Sequence, residues 1–469
     1  MSSAKHREWR DLAAWKSEGL SLSTTSDRSA KLFDAAVTQY LGWYDDPNVG
    51  GLESSLKEMM EGDPDFVMGQ VLSSGLELIG TGTNIWKNDG LRQSIDRMVK
   101  LVEKPETILT DRERKHVTAI QNWSQGFVEK AGNIWEDILN EYPTDVTALK
   151  FAHDSYFYLG YQEQLRDSIA KVMPHWNETM PLYGFLNGMY AFGLVETNFY
   201  NKAETYAKKG LQINPYDCWS THALCHVIEM EGRNDEGIKF LDDTEEYWTR
   251  GEMLACHNYW HWALYHIEKE EYETAIDIYD QQVSKRCKSG AMLDLVDGSS
   301  LLYRLELEGV NVKDRWREMR ELWGDKHADD HVLVFNDLHL LMCTLRSKDE
   351  EETKKIMQSL KDYMQEREGN NRDVCDEVGL KMCEAFEYFD KEDYEKSTDL
   401  LAPLRYKIVK IGGSNAQRDI FNQFLIHSAL RSPRKSHQCF ARALLAERKA
   451  LKSNSPLTDR LISKAIAVH

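Results

Sequence analysis

The chain is 469 residues long, with 42% hydrophobic and 29% charged side chains, which is ordinary globular chemistry and not that of a disordered polypeptide. Its formal net charge of −19 leaves no broad basic footprint to displace the counterions of a nucleic acid, so no nucleic-acid partner is expected. Eight cysteines lie scattered without a Cys-x-x-Cys, which argues against a disulfide framework and a zinc ribbon. The N-terminal run MSSAKHREWRDLAAWKSEG lacks the apolar core of a signal peptide, and no later stretch approaches the ~18 uncharged apolar residues of a membrane span. A cytoplasmic protein with no membrane partner is therefore the expectation.

Only 10 prolines, among many Leu, Glu, Lys and Ala residues, favour helix throughout. Ser21 to Ser26 is a cluster of N-cap candidates, and a helix is predicted from about Ala30 to Trp43. Asp45 to Asn48 with Gly50 and Gly51 then turn the chain, and the next helix carries Leu52, Leu56 and Met59 before Pro64. The same spacing recurs as Ala131, Trp135, Ile138 and Pro143, and again as Ala203, Ala207, Gly210 and Pro215. Its physical content is a small residue where two helices cross, bulky ones a turn later, and a proline closing the pair. Gly80 to Asn84 is glycine-rich but lacks the Gly-Lys-Ser/Thr of a phosphate loop, and reads as a turn.

This pattern resembles the tetratricopeptide repeat, a helical hairpin of about 34 residues. That period places repeats near Phe33, Arg112, Val146, Gly184, Cys218, Cys256 and Val378, with Ala119, Ala191, Cys225, Ala263 and Ala385 at the close-packing position. Tyr40 and His153 break the small-residue rule. From Met292 to Met364 helical periodicity persists while the repeat signature fades, Glu366 to Asp373 reads as a surface loop, and Pro456 opens a last capping helix, PLTDRLISKAIAV. The fold class is all-α, a helical-hairpin solenoid of tetratricopeptide-like repeats, partly irregular. Its regions are 1–110, with a divergent repeat near 33–66; 111–290, the central repeats; 291–365, irregular pairs; and 366–469, a last repeat with capping helices. The stretches LSLSTTSDRSAKLFDAAVTQY, ALKFAHDSYFYLGYQEQLRDS, LACHNYWHWALYHIEKEEYE and GGSNAQRDIFNQFLIHSAL resemble the tetratricopeptide repeat protein 38 family over nearly the full length. That resemblance implies the repeat fold and brings no assigned reaction.

The most decorated stretch is Met253 to Tyr279, read as two helices joined by a tight turn at Lys269, Glu270 and Glu271. Its first helix carries histidine and tryptophan where a plain structural helix would carry alanine and leucine. In tetratricopeptide arrays the first helix of each pair lines the concave face, and its second, fifth, ninth and twelfth residues form the exposed stripe. The stripe selects Trp219, His222, His226 and Glu229 in one repeat, His257 and Trp260 with neighbouring His261 in the next, and Asp154 with neighbouring Tyr158 in an earlier one. These nine residues are the candidate ligand-binding set.

His222/His226 and His257/His261 are each spaced four apart on a helix, so each pair shares a face and can grip one ion. The His-Glu-x-x-His of a zinc protease is absent from both. The pairs are read first as groove-lining or core histidines, with no metal or cofactor assigned. Cys225 sits beside His226 but falls at the packing position, where an inert thiol is expected. Asp294, Asp297, Asn336, Asp337 and His339 add polar groups to later helices, read as caps and inter-repeat hydrogen bonds. The expectation is a protein that binds a partner peptide or segment on its concave face. The alternative is a small-molecule-binding or metal-dependent enzyme using the histidine cluster of the central repeats, with no catalytic residue assigned.

Overall fold

The structure, a computed structural model, describes His6, residues 8–104 and residues 107–467. The first five residues of the N-terminal run, and Val468 at the end of the expected capping helix, lie outside the described residues. Helices dominate, and no strand occurs among the described residues. None of the helices found there is long and apolar enough to cross a membrane. The chain divides into two compact units, Met1–Leu224 with Glu246–Leu254, and Cys225–Glu245 with Ala255–His469.

In the first unit a short α1 (Leu12–Ser17) precedes α2 (Asp27–Gly42), α3 (Gly51–Gly62), α4 (Val67–Ile79), α5 (Asp89–Glu103), α6 (Asp111–Ser124), α7 (Val128–Glu141), α8 (Val146–Leu159), α9 (Gln162–Val172), α10 (Tyr183–Glu196) and α11 (Tyr200–Ile213). Helices α6 with α7, α8 with α9 and α10 with α11 form hairpins, and successive hairpins pack side by side. Local chemistry marks the boundaries. Ser26 caps α2, Thr110 and Glu113 form a reciprocal capping box on α6, and the Asp145 carboxylate accepts the Ala148 amide at the start of α8. Gly160, at φ +68°, closes α8 in the left-handed conformation that glycine adopts without steric cost. Ala119, Ala131, Ala191, Ala203 and Ala207 are fully buried, as close helix crossing requires.

Three helices span residues of both units: α12 (Cys218–Met230), α13 (Asn234–Trp248) and α14 (Glu252–Glu268). The rest belong to the second unit. Glu270, at φ 64°, turns the chain between α14 and α15 (Tyr272–Ile278), which runs through a π-turn at Tyr279–Val283 into α16 (Ser284–Arg286). There follow α17 (Met292–Leu307), α18 (Arg315–Trp323), α19 (Val334–Ser347), α20 (Glu350–Glu366), α21 (Asn370–Val374), α22 (Leu380–Asp390), α23 (Tyr394–Leu401), α24 (Asn415–Arg431), α25 (Lys435–Leu451) and α26 (Pro456–Ala467). Their pairing is less regular, since α17 packs on α18, α19 and α24 together. The loop expected from Glu366 to Asp373 shrinks to the three residues 367–369, because α20 continues to Glu366 and α21 resumes at Asn370. Gly369, at φ +116°, makes that reversal. The last helix is tied down as a cap: Glu268 accepts hydrogen bonds from Lys452, Ser455 and the Leu457 amide, and Arg460 donates to the carbonyls of Ile267 and Glu268.

Candidate functional site

The nine candidate residues sit on the helices expected of them, α8, α12 and α14, but the stripe is not exposed. All except Tyr158, which is partly exposed, are buried. The physical reason is that other helices of the same unit pack over these residues.

In the first unit the cover is the end of α2. The Tyr40 hydroxyl donates to the Asp154 carboxylate, and the Trp219 indole Nε1 donates to the Leu41 carbonyl at 2.9 Å. Lys150 forms an ion pair with Asp154, 2.6 Å from its Oδ2, and its ammonium lies 4.7, 5.1 and 4.7 Å from the ring centres of Tyr40, Trp43 and Trp219. Burial pulls the Lys150 pKa down against the opposing pull of Asp154, and Asp154 is held below the usual carboxylate range because Lys150 and His153 outweigh its own burial. Tyr158 donates to the Ile79 carbonyl at 2.7 Å, and His222 lies against Phe192 and Trp219 with ring centres 4.9 and 5.9 Å away. Tyr40 and His153, which break the small-residue rule, therefore have roles of their own: Tyr40 anchors α2, and the His153 Nε2 lies 3.3 Å from the Met189 carbonyl oxygen.

In the second unit five of the nine converge. His226, His257 and His261 form a triangle with ring centres 4.4, 4.7 and 6.0 Å apart. Two carboxylates hold it. Nδ1 of His257 is 2.7 Å from Oδ2 of Asp297 on α17, and Nδ1 of His261 is 2.8 Å from Oε2 of Glu229 on α12. A carboxylate partner fixes the proton on Nδ1 and leaves the lone pair on Nε2, the arrangement in which histidine binds metal. Trp260 stacks on His257 at 5.0 Å with planes 15° apart. Burial pushes the pKa values of His226 and His261 well below that of ordinary histidine, and neighbouring imidazoles push the same way, so these rings are neutral at pH 7. Burial raises the Glu229 carboxyl, with Lys452 and Arg304 opposing it.

His222 lies one turn before His226 on the unbroken α12, and within the second unit His226, His257 and His261 each offer a ligand atom within 4.8 Å of the others. Among the described residues this is the group of donors close enough to share an ion.

Two residues at the site escaped the sequence reading. Arg304 lies two turns beyond Asp297 on the same face of α17, with its guanidinium 5.4 Å from the Trp260 ring centre, and donates to the Ala416 carbonyl at 2.7 Å. Gln417, three residues after Ser414 and its partner in the capping box of α24, also reaches Asp297, at 3.4 Å. The i to i+7 spacing from Asp297 could have indicated Arg304. Nothing in the local sequence points from Gln417 to a partner 120 residues earlier. Cys225 is buried and its thiol pKa is raised by that burial, as an inert packing cysteine requires.

No protein-family model matches the chain, so the likeness to the tetratricopeptide repeat protein 38 family rests on the sequence stretches alone. Solved structures that resemble it are themselves helical arrays. The Cut9 and Hcn1 hetero-tetramer of the APC/C matches 97% of this chain and 80% of that one at 12% identity, with a TM-score of 0.40. A monomeric mutant of IFIT1 with Gppp-AAAA matches 93% and 100% at 14% identity, with a TM-score of 0.39. Yeast Tom70 matches 94% and 88% at 12% identity, with a TM-score of 0.30. Likeness this distant carries no inference about function.

Proposed function

We propose that this helical-repeat protein binds a small ligand enclosed by its second unit, in place of a peptide laid along an open groove. One observation carries the reading. The candidate site is polar, yet buried: His226, Glu229, His257 and His261 are at most 6% exposed, and Asp297, itself held by Gln417, pairs with His257. Burying such groups costs stability that leucine or phenylalanine would not, which is the expected signature of a site kept for binding. The alternative foreseen in the sequence, a small-molecule or metal site in the histidine cluster, thus fits the geometry better than the concave peptide groove.

A polypeptide partner would have to use other surface. In the first unit an open groove of about 190 Å3 is lined by Ile85, Ile95 and Val99 with Arg92, Lys100 and Glu103, which suits an apolar segment with flanking charges of both signs. The test is native mass spectrometry of the full chain isolated under mild conditions. A mass above that of the polypeptide, released on denaturation and abolished by the paired substitution of His257 and His261 to alanine, supports an enclosed ligand. A ligand-free chain that captures a polypeptide with undiminished affinity when both histidines are replaced would overturn it.

A further inference from the structure

We propose that His226, His257 and His261 together hold one divalent transition-metal ion of the zinc class through their ring nitrogens, an inference that rests on the enclosed-ligand reading above and names its ligand. Imidazole is a borderline donor that suits zinc, cobalt, nickel or copper better than calcium or magnesium, which take oxygen. The donors are also close to the spacing such an ion needs. Nitrogens about 2.1 Å from a tetrahedral zinc stand about 3.4 Å from one another. The ligand atoms here lie within 4.8 Å, so side-chain rotation of about an ångström closes the set.

The surroundings match the chemistry. Metal-bound histidines commonly give their other ring N–H to a carboxylate, which sets the tautomer and raises ligand basicity. Both His257 and His261 do so, to Asp297 and Glu229, and those two carboxylates also supply charge to offset a dication in a dry interior. The nearby cations are engaged elsewhere: Arg304 donates to the Ala416 carbonyl and lies 3.7 Å from Asp419, Arg418 donates to the Gly412 carbonyl, and Lys452 donates to Glu268. An anion is a poorer occupant than a metal. Two carboxylates, Asp297 and Glu229, already stand 2.7 and 2.8 Å from the triangle's ring nitrogens and would repel one.

The experiment is a titration of the chelator-treated full chain with cobalt(II) alone, read by its visible absorption and by elemental analysis after dialysis. The expected result is one equivalent per chain with the absorption of a nitrogen-ligated, four- or five-coordinate ion. His257→Ala and His261→Ala should abolish it. Glu229→Gln, which keeps a neutral hydrogen-bonding group in place, should weaken it by about 10- to 100-fold. His339→Ala removes a buried histidine of α19 outside the group and should bind as the unsubstituted chain does. If the alanine variants fail to fold, the stoichiometry of the unsubstituted chain and the Glu229→Gln shift decide the matter. No cobalt uptake at micromolar free metal, or uptake untouched by Glu229→Gln, overturns the metal. An organic molecule found in the native mass spectrum beside a failed titration would overturn the metal while leaving the enclosed-ligand reading standing; an empty chain with a failed titration would end both.

Discussion

Nδ1 of His261 stands 2.8 Å from Oε2 of Glu229, a residue 32 positions earlier on the preceding first helix. Both groups are buried, so the contact joins α12 to α14 through a polar pair where apolar packing would suffice. Removing one partner of a buried hydrogen bond leaves the other desolvated, at a cost of about 1–3 kcal/mol. Glu229→Ala should therefore lower the thermal midpoint measurably, and Glu229→Gln, which retains an acceptor, should lower it less. Equal midpoints for the two variants and the unsubstituted chain would mean that this pair contributes nothing to holding the helices.

The buried Lys150 and Asp154 make a sharper test. Lys150 is fully buried among the rings of Tyr40, Trp43 and Trp219, and Asp154 is the carboxylate paired with it. Breaking such a pair by removing one partner costs about 3–5 kcal/mol, whereas replacing both with apolar groups of similar volume is often neutral. Asp154→Ala should be strongly destabilising in chemical denaturation, and Lys150→Met with Asp154→Leu should recover most of the loss. A double variant as unstable as Asp154→Ala would show that packing, not the stranded charge, sets the cost.

The same residues show what a sequence can and cannot reveal. Repeat starts at Arg112, Val146, Gly184 and Cys218 fall within a residue of the helix starts at Asp111, Val146, Tyr183 and Cys218, because small packing positions and closing prolines are local signals. Local chemistry also located the turn at Glu270. Period and helix geometry put His226 and His257 on the stripes of successive first helices with His261 beside them, and the structure brings the three ring centres within 6.0 Å. Burial of the stripe was not legible. It depends on contacts such as Trp219 with Leu41 and Asp297 with Gln417, separated by 178 and 120 residues, and no periodicity encodes them.

Close helix approach in the first unit predicts a sensitive glycine. A Cβ on Gly188 would lie 2.6 Å from the Ser220 backbone nitrogen and 2.7 Å from Trp219 Cβ, and the backbone atom cannot swing aside as a side chain can. Gly188→Ala should destabilise by about 1–3 kcal/mol, the range for overpacking. Gly19→Ala, where the added Cβ meets nothing within 4 Å, isolates the effect of an alanine in a left-handed turn at φ +78°. Comparable denaturation midpoints for Gly188→Ala and the unsubstituted chain would show that α10 and the start of α12 are less tightly apposed.

Stability should also fall with rising pH through one carboxyl. Burial pushes Asp217, before α12, from 3.8 up to about 7, partly countered by the Ser220 hydroxyl and the Trp219 amide. Between those values the folded chain holds a proton that the unfolded chain has lost, so this group's contribution to stability declines as pH rises from 3.8 towards about 7 and then levels. Asp217→Asn keeps a helix-capping side chain without the titration. The difference in thermal midpoint between this variant and the unsubstituted chain should widen in favour of the variant across that interval. A constant difference would mean that Asp217 is ionised throughout.

X-ray absorption at the metal edge of the full chain, loaded with one equivalent of zinc, reads the donor atoms around the ion. The expected spectrum has a shell of imidazole nitrogens at about 2.0–2.1 Å, with the outer-ring scattering of several histidines, lost in His261→Ala. A shell of oxygen alone, or one identical in that variant, would contradict histidine coordination.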